Sequence, residues 1–224
     1  MFDWSMLSVV FTVVFAATGL YALARLARLL AGEVAVGDRL VELFHLAMSL
    51  AMIAMAWAYT GGPETPGGRT EVVVFGAFTV WFAYRATVRD AAHSPLANGY
   101  HVAMGAAMTW MVAAMPLIMG SSHAGSSGGG HHGGSAPVES AEPVAPPAPA
   151  PGWVVVVTIA FVVLSVAAAA WWAARAVRAG DQGGHADAGG TVLTRTTVTR
   201  SARLEASCHV LMSLGMGGML VAML

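Results

Sequence analysis

Residues 41–60 read VELFHLAMSLAMIAMAWAYT, an apolar run of about the length that an α-helix needs to cross a bilayer. Five further runs of similar length share this character and lie at 5–24, 72–89, 100–119, 153–174 and 208–224. All six are longer than ordinary strands, so we interpret each as a transmembrane helix. The sequence therefore predicts an all-α, polytopic membrane protein of six transmembrane helices, with residues 1–224 forming a single transmembrane domain.

The composition agrees with a chain surrounded by membrane lipid. Hydrophobic residues make up 57% of the 224 residues, charged residues 10%, and the mean hydropathy is +0.67. A water-soluble surface needs roughly a quarter of charged residues. The net charge of -1 gives no electrostatic reason to expect a nucleic-acid partner, and the single cysteine, Cys208, excludes an internal disulfide. Nothing in the sequence identifies a protein partner.

The arginines predict the orientation of the chain. When the loops are assigned alternately to the two sides, ten of the 11 basic residues fall on one side and only Arg69 on the other. The ten are Arg25, Arg28, Arg39, Arg85, Arg89, Arg175, Arg178, Arg195, Arg200 and Arg203. By the positive-inside rule their side is cytoplasmic. We therefore expect a multi-pass protein of the plasma (inner) membrane, with the N-terminus and the C-terminus both outside.

Two of the predicted connections are long. Residues 120–151 are rich first in Gly, Ser and His and then in Pro and Ala, a composition that cannot bury enough apolar surface to order itself. They are predicted to form a flexible external loop. Residues 179–206 are predicted to form a cytoplasmic loop, within which TVLTRTTVTR (191–200) favours an extended or surface-associated segment.

Three of the predicted helices carry the same row of histidine and methionine at positions i, i+3, i+7 and i+10, and the row continues to i+14 in the fourth and sixth helices. The row is His45, Met48, Met52 and Met55 in the second helix; His101, Met104, Met108, Met111 and Met115 in the fourth; and His209, Met212, Met216, Met219 and Met223 in the sixth. It takes up 11 of the 14 methionines and three of the eight histidines. At about 100° per residue these positions stay within an arc of about 80°, a narrow stripe on each helix.

The three stripes can face one another. Helices of even number would run in the same direction, and apart from the row they are rich in Ala, Gly and Ser, which permit close helix approach in lipid. We therefore expect three two-helix repeats around an axis along the membrane normal, with helices 2, 4 and 6 central. A histidine layer would lie at the cytoplasmic end, followed by stacked methionine layers over about 21 Å.

Thioether sulfur is a soft and uncharged ligand that suits Cu(I) or Ag(I) and suits Na⁺, Mg²⁺ or Zn²⁺ poorly. Stacked thioether layers would provide several moderate sites, as permeation requires, and the imidazoles a final, stronger one. The leading hypothesis is therefore a membrane protein that binds copper, as Cu(I), and acts as a passive copper conduit. Cys208, beside His209, is a possible accessory ligand, as are four residues in or beside the external loop: Met119, His123, His131 and His132.

Two other classes of function compete with this hypothesis. Histidine and methionine are also axial haem ligands, so a haem-binding or electron-transfer membrane protein is one alternative, although the chain has no Cys-x-x-Cys-His motif. Methionine often only fills gaps between helices, so a structural accessory subunit whose methionine seam only packs is the other. The sequence has no P-loop, no nucleophile elbow and no His-Glu-x-x-His motif, and we expect no enzymatic activity.

Two segments carry a resemblance to a known family: ELFHLAMSLAMIAMAW (Glu42 to Trp57) and CHVLMSLGMGGM (Cys208 to Met219). On these residues the chain resembles, over its whole length, the actinobacterial membrane family catalogued as domain of unknown function 5134. The family name implies no function.

The expected architecture is also similar, by geometry alone, to the Ctr-type copper transporters. Those place methionine triads around a three-fold axis, using three identical subunits whose helix carries Met-x3-Met. The same spacing occurs here in Met48-x3-Met52, Met104-x3-Met108 and Met212-x3-Met216. This chain differs because it would supply all three elements itself, lacks a methionine-rich outer tail and places histidines at the inner helix ends. The resemblance implies copper transport as an expectation by analogy.

Overall fold

A computed structural model of the chain describes residues 4–32, 36–57, 61–88, 95–118, 150–181 and 192–224. These residues form six α-helices and no strand, which confirms the predicted all-α class. The helices are α1 (Trp4–Leu30), α2 (Val36–Ala56), α3 (Pro66–Thr87), α4 (Pro95–Ile118), α5 (Gly152–Asp181) and α6 (Val192–Ala222).

Five of the helices are long and apolar enough to cross a membrane. The qualifying stretches are Met6–Leu30, Asp38–Ala56, Leu96–Ile118, Gly152–Arg178 and Ala202–Ala222. The helix that does not qualify is α3, which has 22 residues but contains Arg69, Glu71 and Arg85. By length and composition, then, this is a protein of the membrane type with five candidate spans.

Two helices continue well beyond the apolar runs that predict them. The first, α1, ends at Leu30 where the run ends at 24, and α6 begins at Val192 where the run begins at 208. Hydropathy marks the part of a helix that suits lipid, but arginine is a good helix former and lets the helix continue past it. The segment 191–200 is therefore helical from Val192 onward, whereas its composition favours an extended piece.

The two predicted long loops lie partly or wholly outside the described residues. The predicted cytoplasmic loop 179–206 begins within α5 and ends within α6, and its residues 182–191 are not described. The predicted external loop 120–151 has only its last two residues described. Its flexibility therefore stays a prediction.

Helices that follow one another in the chain pack as pairs, α1 with α2, α3 with α4 and α5 with α6, and α1/α6 and α4/α5 are also in contact. Polar side chains join some of these neighbours. Thr18 Oγ1 and Ser49 Oγ are 3.2 Å apart between α1 and α2, and Trp110 Nε1–H donates to Thr158 Oγ1 at 3.1 Å between α4 and α5. Hydrogen bonds of this kind help to fix helix pairs where no water competes for the same groups.

The helices of even number lie deeper in the bundle than α1 and α5. Within the most apolar stretch of each candidate span, 39–44% of the residues are buried in α2, α4 and α6, against 28% in α1 and 22% in α5. The outer surface carries large apolar side chains such as Val13, Val80 and Val163. An interior of even helices and an apolar exterior are what a bundle surrounded by lipid requires.

We predict that Gly215→Ala destabilises the bundle. A Cβ at Gly215 of α6 would overlap the ring of Phe15 in α1, and Phe15 is fully buried and has no space into which to move. Overpacking of this kind costs about 1–3 kcal/mol, so the thermal unfolding temperature in detergent should fall.

Gly76→Ala is the matched control, because a Cβ at Gly76 of α3 meets nothing within 4 Å. This variant should unfold at the wild-type temperature or slightly above it, since alanine favours helix more than glycine does. Equal unfolding temperatures for the two variants would show that the α1/α6 contact is not as close as described.

Candidate metal centre

Three histidines from three different helices meet at one buried point. His45 of α2, His101 of α4 and His209 of α6 are each 5% exposed, and one potential ligand atom from each lies within 4.8 Å of the others. The Nε2 atoms of His45 and His101 are 3.3 Å apart. The ring centroids are 4.8, 5.2 and 6.0 Å apart. We call this cluster the tri-histidine centre.

The distances suit a small ion. A metal bound to imidazole nitrogen at about 2.0–2.1 Å in tetrahedral geometry places its ligand atoms about 3.3–3.4 Å apart. The pair His45 and His101 already has this spacing, and His209 needs to approach by about 1 Å or somewhat more to complete it. Neutral imidazole is a suitable ligand for zinc, copper, iron and nickel, so the cluster by itself fits a metal ion without fixing its identity.

Aromatic rings enclose the centre on several sides. Phe82 of α3 stacks on His101 at 4.7 Å between centroids, and Tyr100 stacks on His209 at 5.3 Å. The ring of Trp172 in α5 meets His209 edge-on at 4.1 Å. Rings packed so closely restrict the rotation of the imidazoles and exclude water, which preorganises the ligands.

A hydrogen bond orients the imidazole of His101, and others anchor the phenol ring that stacks on His209. The Nδ1–H of His101 donates to the carbonyl of Ala97 at 2.7 Å, which leaves its Nε2 turned toward His45. Tyr100 Oη lies 3.1 Å from Ser213 Oγ and 3.4 Å from the carbonyl oxygen of His209, so the stacked phenol is anchored beside that ring. The buried Nδ1 of His209 makes no hydrogen bond of full geometry, although it interacts with the backbone carbonyl of Glu205 one turn earlier in α6.

A group of charged residues adjoins the centre. Arg25 of α1 bridges two carboxylates: its Nε lies 3.1 Å from Glu42 Oε1, and a terminal nitrogen lies 2.8 Å from Glu205 Oε2. The other oxygen of Glu42 is 3.9 Å from His45 Nδ1. The side chain of Glu42 is 4% exposed, against 34% for Arg25 and 36% for Glu205. We call these three residues the Arg25 trio.

Most of the predicted methionine row faces the interior. Seven of its members are fully buried in the same core: Met48, Met52, Met104, Met108, Met111, Met212 and Met216. Three are partly buried and pack against that core, namely Met55, Met219 and Met223, and Met115 is partly buried. The thioethers therefore do not point outward, but their role as metal ligands stays a prediction.

Of the accessory candidates, Cys208 alone lies within the described residues. Cys208 is half-buried and is not among the side chains whose ligand atoms meet at the tri-histidine centre. Met119, His123, His131 and His132 lie outside the described residues.

Several residues of the site were not predicted from the sequence. A polar residue lies about one helical turn before each histidine, namely Glu42, Asn98 and Glu205, and all three share a helix face with the histidine they precede. That recurrence is a signal that could have found them. Tyr100 and Trp172 carry no such signal, because their role depends on how α4 and α5 are rotated against α6.

The fold and the site together define a helical, membrane-type protein with a buried cluster of three histidines. The chain belongs to the family described as domain of unknown function (DUF5134), whose model matches residues 37–223, and this confirms the resemblance inferred from the sequence. The matched region contains all three histidines and the whole methionine row. Comparison with curated proteins and comparison with solved structures each gave no match.

We predict that Tyr100 supports the centre through its ring more than through its hydroxyl. Tyr100→Phe keeps the stack on His209 and loses the hydrogen bond to Ser213, at a cost of about 1 kcal/mol. Tyr100→Ala leaves a cavity beside the imidazole and should cost about 3–5 kcal/mol. Unfolding of both variants in mixed micelles by increasing denaturing detergent measures the difference, and equal costs would contradict the stacked arrangement.

Proposed function

We propose that the protein binds copper as Cu(I) inside the membrane, and that α2, α4 and α6 form a passive, non-enzymatic conduit for this ion. The observation that carries the proposal is the convergence of His45, His101 and His209, one from each of these helices, on a single buried point. Histidines within apolar spans are costly in lipid and occur mostly where they serve a function.

The methionine row supports copper over a harder ion. Met48, Met104 and Met212 each follow a histidine by three residues on the same helix face, and all three are fully buried. Thioethers suit Cu(I) and need no deprotonation, so layers of them offer the ion moderate sites without a charge barrier. With no nucleotide-binding motif in the sequence, movement would follow the concentration gradient, and the predicted external histidines favour uptake.

The proposed topology has six crossings arranged as three two-helix repeats, with α3 as the sixth span. It is supported by the packing of α3 against α4 as a consecutive pair, like α1/α2 and α5/α6. Arg85 lies in the last turn of α3, as Arg28 and Arg178 lie in the last turns of α1 and α5. The positive-inside rule then places the tri-histidine centre near the cytoplasmic face of the plasma membrane, with both termini outside.

The geometry favours an ion over haem. The imidazoles contact one another and the enclosing aromatic rings at centroid distances of 4.1–6.0 Å, which leaves no slot for a flat macrocycle between them. A cavity of about 310 Å³ lies between α4 and α5. It is lined by apolar side chains such as Leu96 and Leu164, with Tyr100, and by no histidine.

We predict that the histidines are required for copper binding. Full-length protein in detergent, loaded with Cu(I) and desalted, should retain copper and show no Soret band. His45→Gln, His101→Gln and His209→Gln should each reduce the retained copper at least about tenfold, because two imidazoles hold the ion far less well than three. His185→Gln, in the predicted cytoplasmic loop, is the control and should bind as wild type does.

A Soret band in the purified protein would contradict the copper proposal and support the haem-binding alternative. Wild-type protein that retains no copper would leave the structural accessory subunit as the better interpretation.

We predict that the first methionine layer contributes to binding or passage of the ion. The triple variant Met48→Leu, Met104→Leu and Met212→Leu nearly conserves volume, so its unfolding temperature should stay close to wild type. It should nevertheless lower both retained copper and Cu(I) entry into proteoliposomes, because leucine offers no ligand atom. Met6→Leu on the outer face of α1, where Met6 is 72% exposed, is the control. Equal copper content and equal entry in the triple variant would exclude the conduit and leave the methionines as packing.

A further inference from the structure

The Arg25 trio carries more negative than positive charge. One guanidinium serves two carboxylates, so the formal charges of Arg25, Glu42 and Glu205 sum to one negative charge. Within the trio only Glu42 is fully buried, and only Glu42 also faces a histidine of the centre. The surplus charge therefore lies next to the three imidazoles of the centre.

A cation held by three neutral ligands in a poorly solvated site needs a counter-charge nearby, because the desolvation of an isolated ion costs several kcal/mol. Among the described residues that contact the centre, Glu42 is the one carboxylate in position to supply it. Arg175 contacts the Trp171 and Trp172 rings and is exposed, so solvent screens its charge.

The position of Glu42 also bears on the tautomer of His45. His101 places its proton on Nδ1, toward Ala97, so a neutral His101 accepts at Nε2 and His45 donates to it from its own Nε2. For His45 to present that nitrogen as a ligand, its proton must lie on Nδ1 instead. The acceptor on the Nδ1 side is Glu42 Oε2, at 3.9 Å, and a modest approach would bring the two into hydrogen-bond distance.

We propose that Glu42 is the counter-ion and the positioning residue of the tri-histidine centre: its carboxylate balances the charge of the bound cation and holds the Nδ1 proton of His45. Arg25 keeps this carboxylate in place, and Glu205 is the second, partly solvated partner of the same guanidinium. The inference rests on the proposed function, since it concerns the same centre.

The test compares two identical substitutions on the two partners of Arg25. Glu42→Gln and Glu205→Gln each remove one negative charge from the trio, but only Glu42 faces His45. Dissociation constants of full-length protein in detergent are measured by competition for Ag⁺, a soft monovalent ion, and for Zn²⁺. Glu42→Gln should raise the dissociation constant for Ag⁺ about 10–100-fold. Glu205→Gln should change it by no more than about threefold, because its carboxylate is partly solvated.

The two ions separate a counter-ion from a structural role. Coulomb attraction scales with the charge of the ion, so Glu42→Gln should weaken the binding of Zn²⁺ by a larger factor than the binding of Ag⁺. If the substitution instead misfolded the protein and displaced a histidine, the binding of both ions would weaken, and the loss for Zn²⁺ would not exceed the loss for Ag⁺.

The unfolding temperatures of the two variants without metal provide a second readout. If Glu42→Gln does not fold, Glu42→Asp replaces it. The side chain of Asp is shorter than that of Glu, so its carboxylate lies farther from His45. We therefore expect Glu42→Asp to bind Ag⁺ more weakly than wild type does.

The outcomes are distinct. Three results would overturn the role of Glu42 while the centre still binds metal. The first is wild-type affinity in Glu42→Gln, and the second is an equal loss in the two glutamine variants. The third, where Glu42→Asp has to be used, is wild-type affinity in that variant. Wild-type protein that binds neither Ag⁺ nor Zn²⁺ would instead overturn the proposed function, and with it this inference.

Discussion

Three imidazole rings brought together in the interior of an apolar bundle impose the main constraint on this structure. Buried polar rings are costly unless their hydrogen-bonding groups are satisfied and their positions are fixed. The carbonyl of Ala97 satisfies one ring nitrogen, and the rings of Phe82, Tyr100 and Trp172 fix the positions of the imidazoles from α3, α4 and α5. The small residues of the even helices let the backbones approach. The arrangement of the helices follows from what the centre requires.

The depth of the centre follows from the charges beside it. Arg25 and Glu205 are about one-third exposed, and such side chains can reach headgroups or water only near a membrane face. Because Arg25 holds Glu42 and Glu42 faces His45, the proposed membrane arrangement would put the histidines within about one helical turn of that boundary. A centre in the middle of the bilayer would have left this network without solvent and at a much higher cost.

The row of histidine and methionine could be read from the sequence because it depends only on the geometry of a single helix. A spacing near 3.5 residues fixes which side chains share a face, and the burial of Met48, Met104 and Met212 agrees with it. The partners of the centre could not be read in this way. Whether Arg25 meets Glu205, or Trp172 meets His209, depends on the rotation of one helix against another. The polar character of α3 and the early start of α6 differ from expectation because hydropathy reports preference for lipid, not helix formation.

The order of the layers has a consequence for the proposed conduit. A site of three imidazoles beside a carboxylate holds an ion more tightly than neutral thioethers do, so an ion that reaches this end from the methionine layers moves toward stronger binding. Release then needs a competing ligand. Glu205 and Cys208 are both partly exposed and lie close to each other beside the Arg25 trio, where such a ligand could approach. Within the proposed function, transfer to an acceptor at the cytoplasmic end would therefore limit the rate more than passage along the helices.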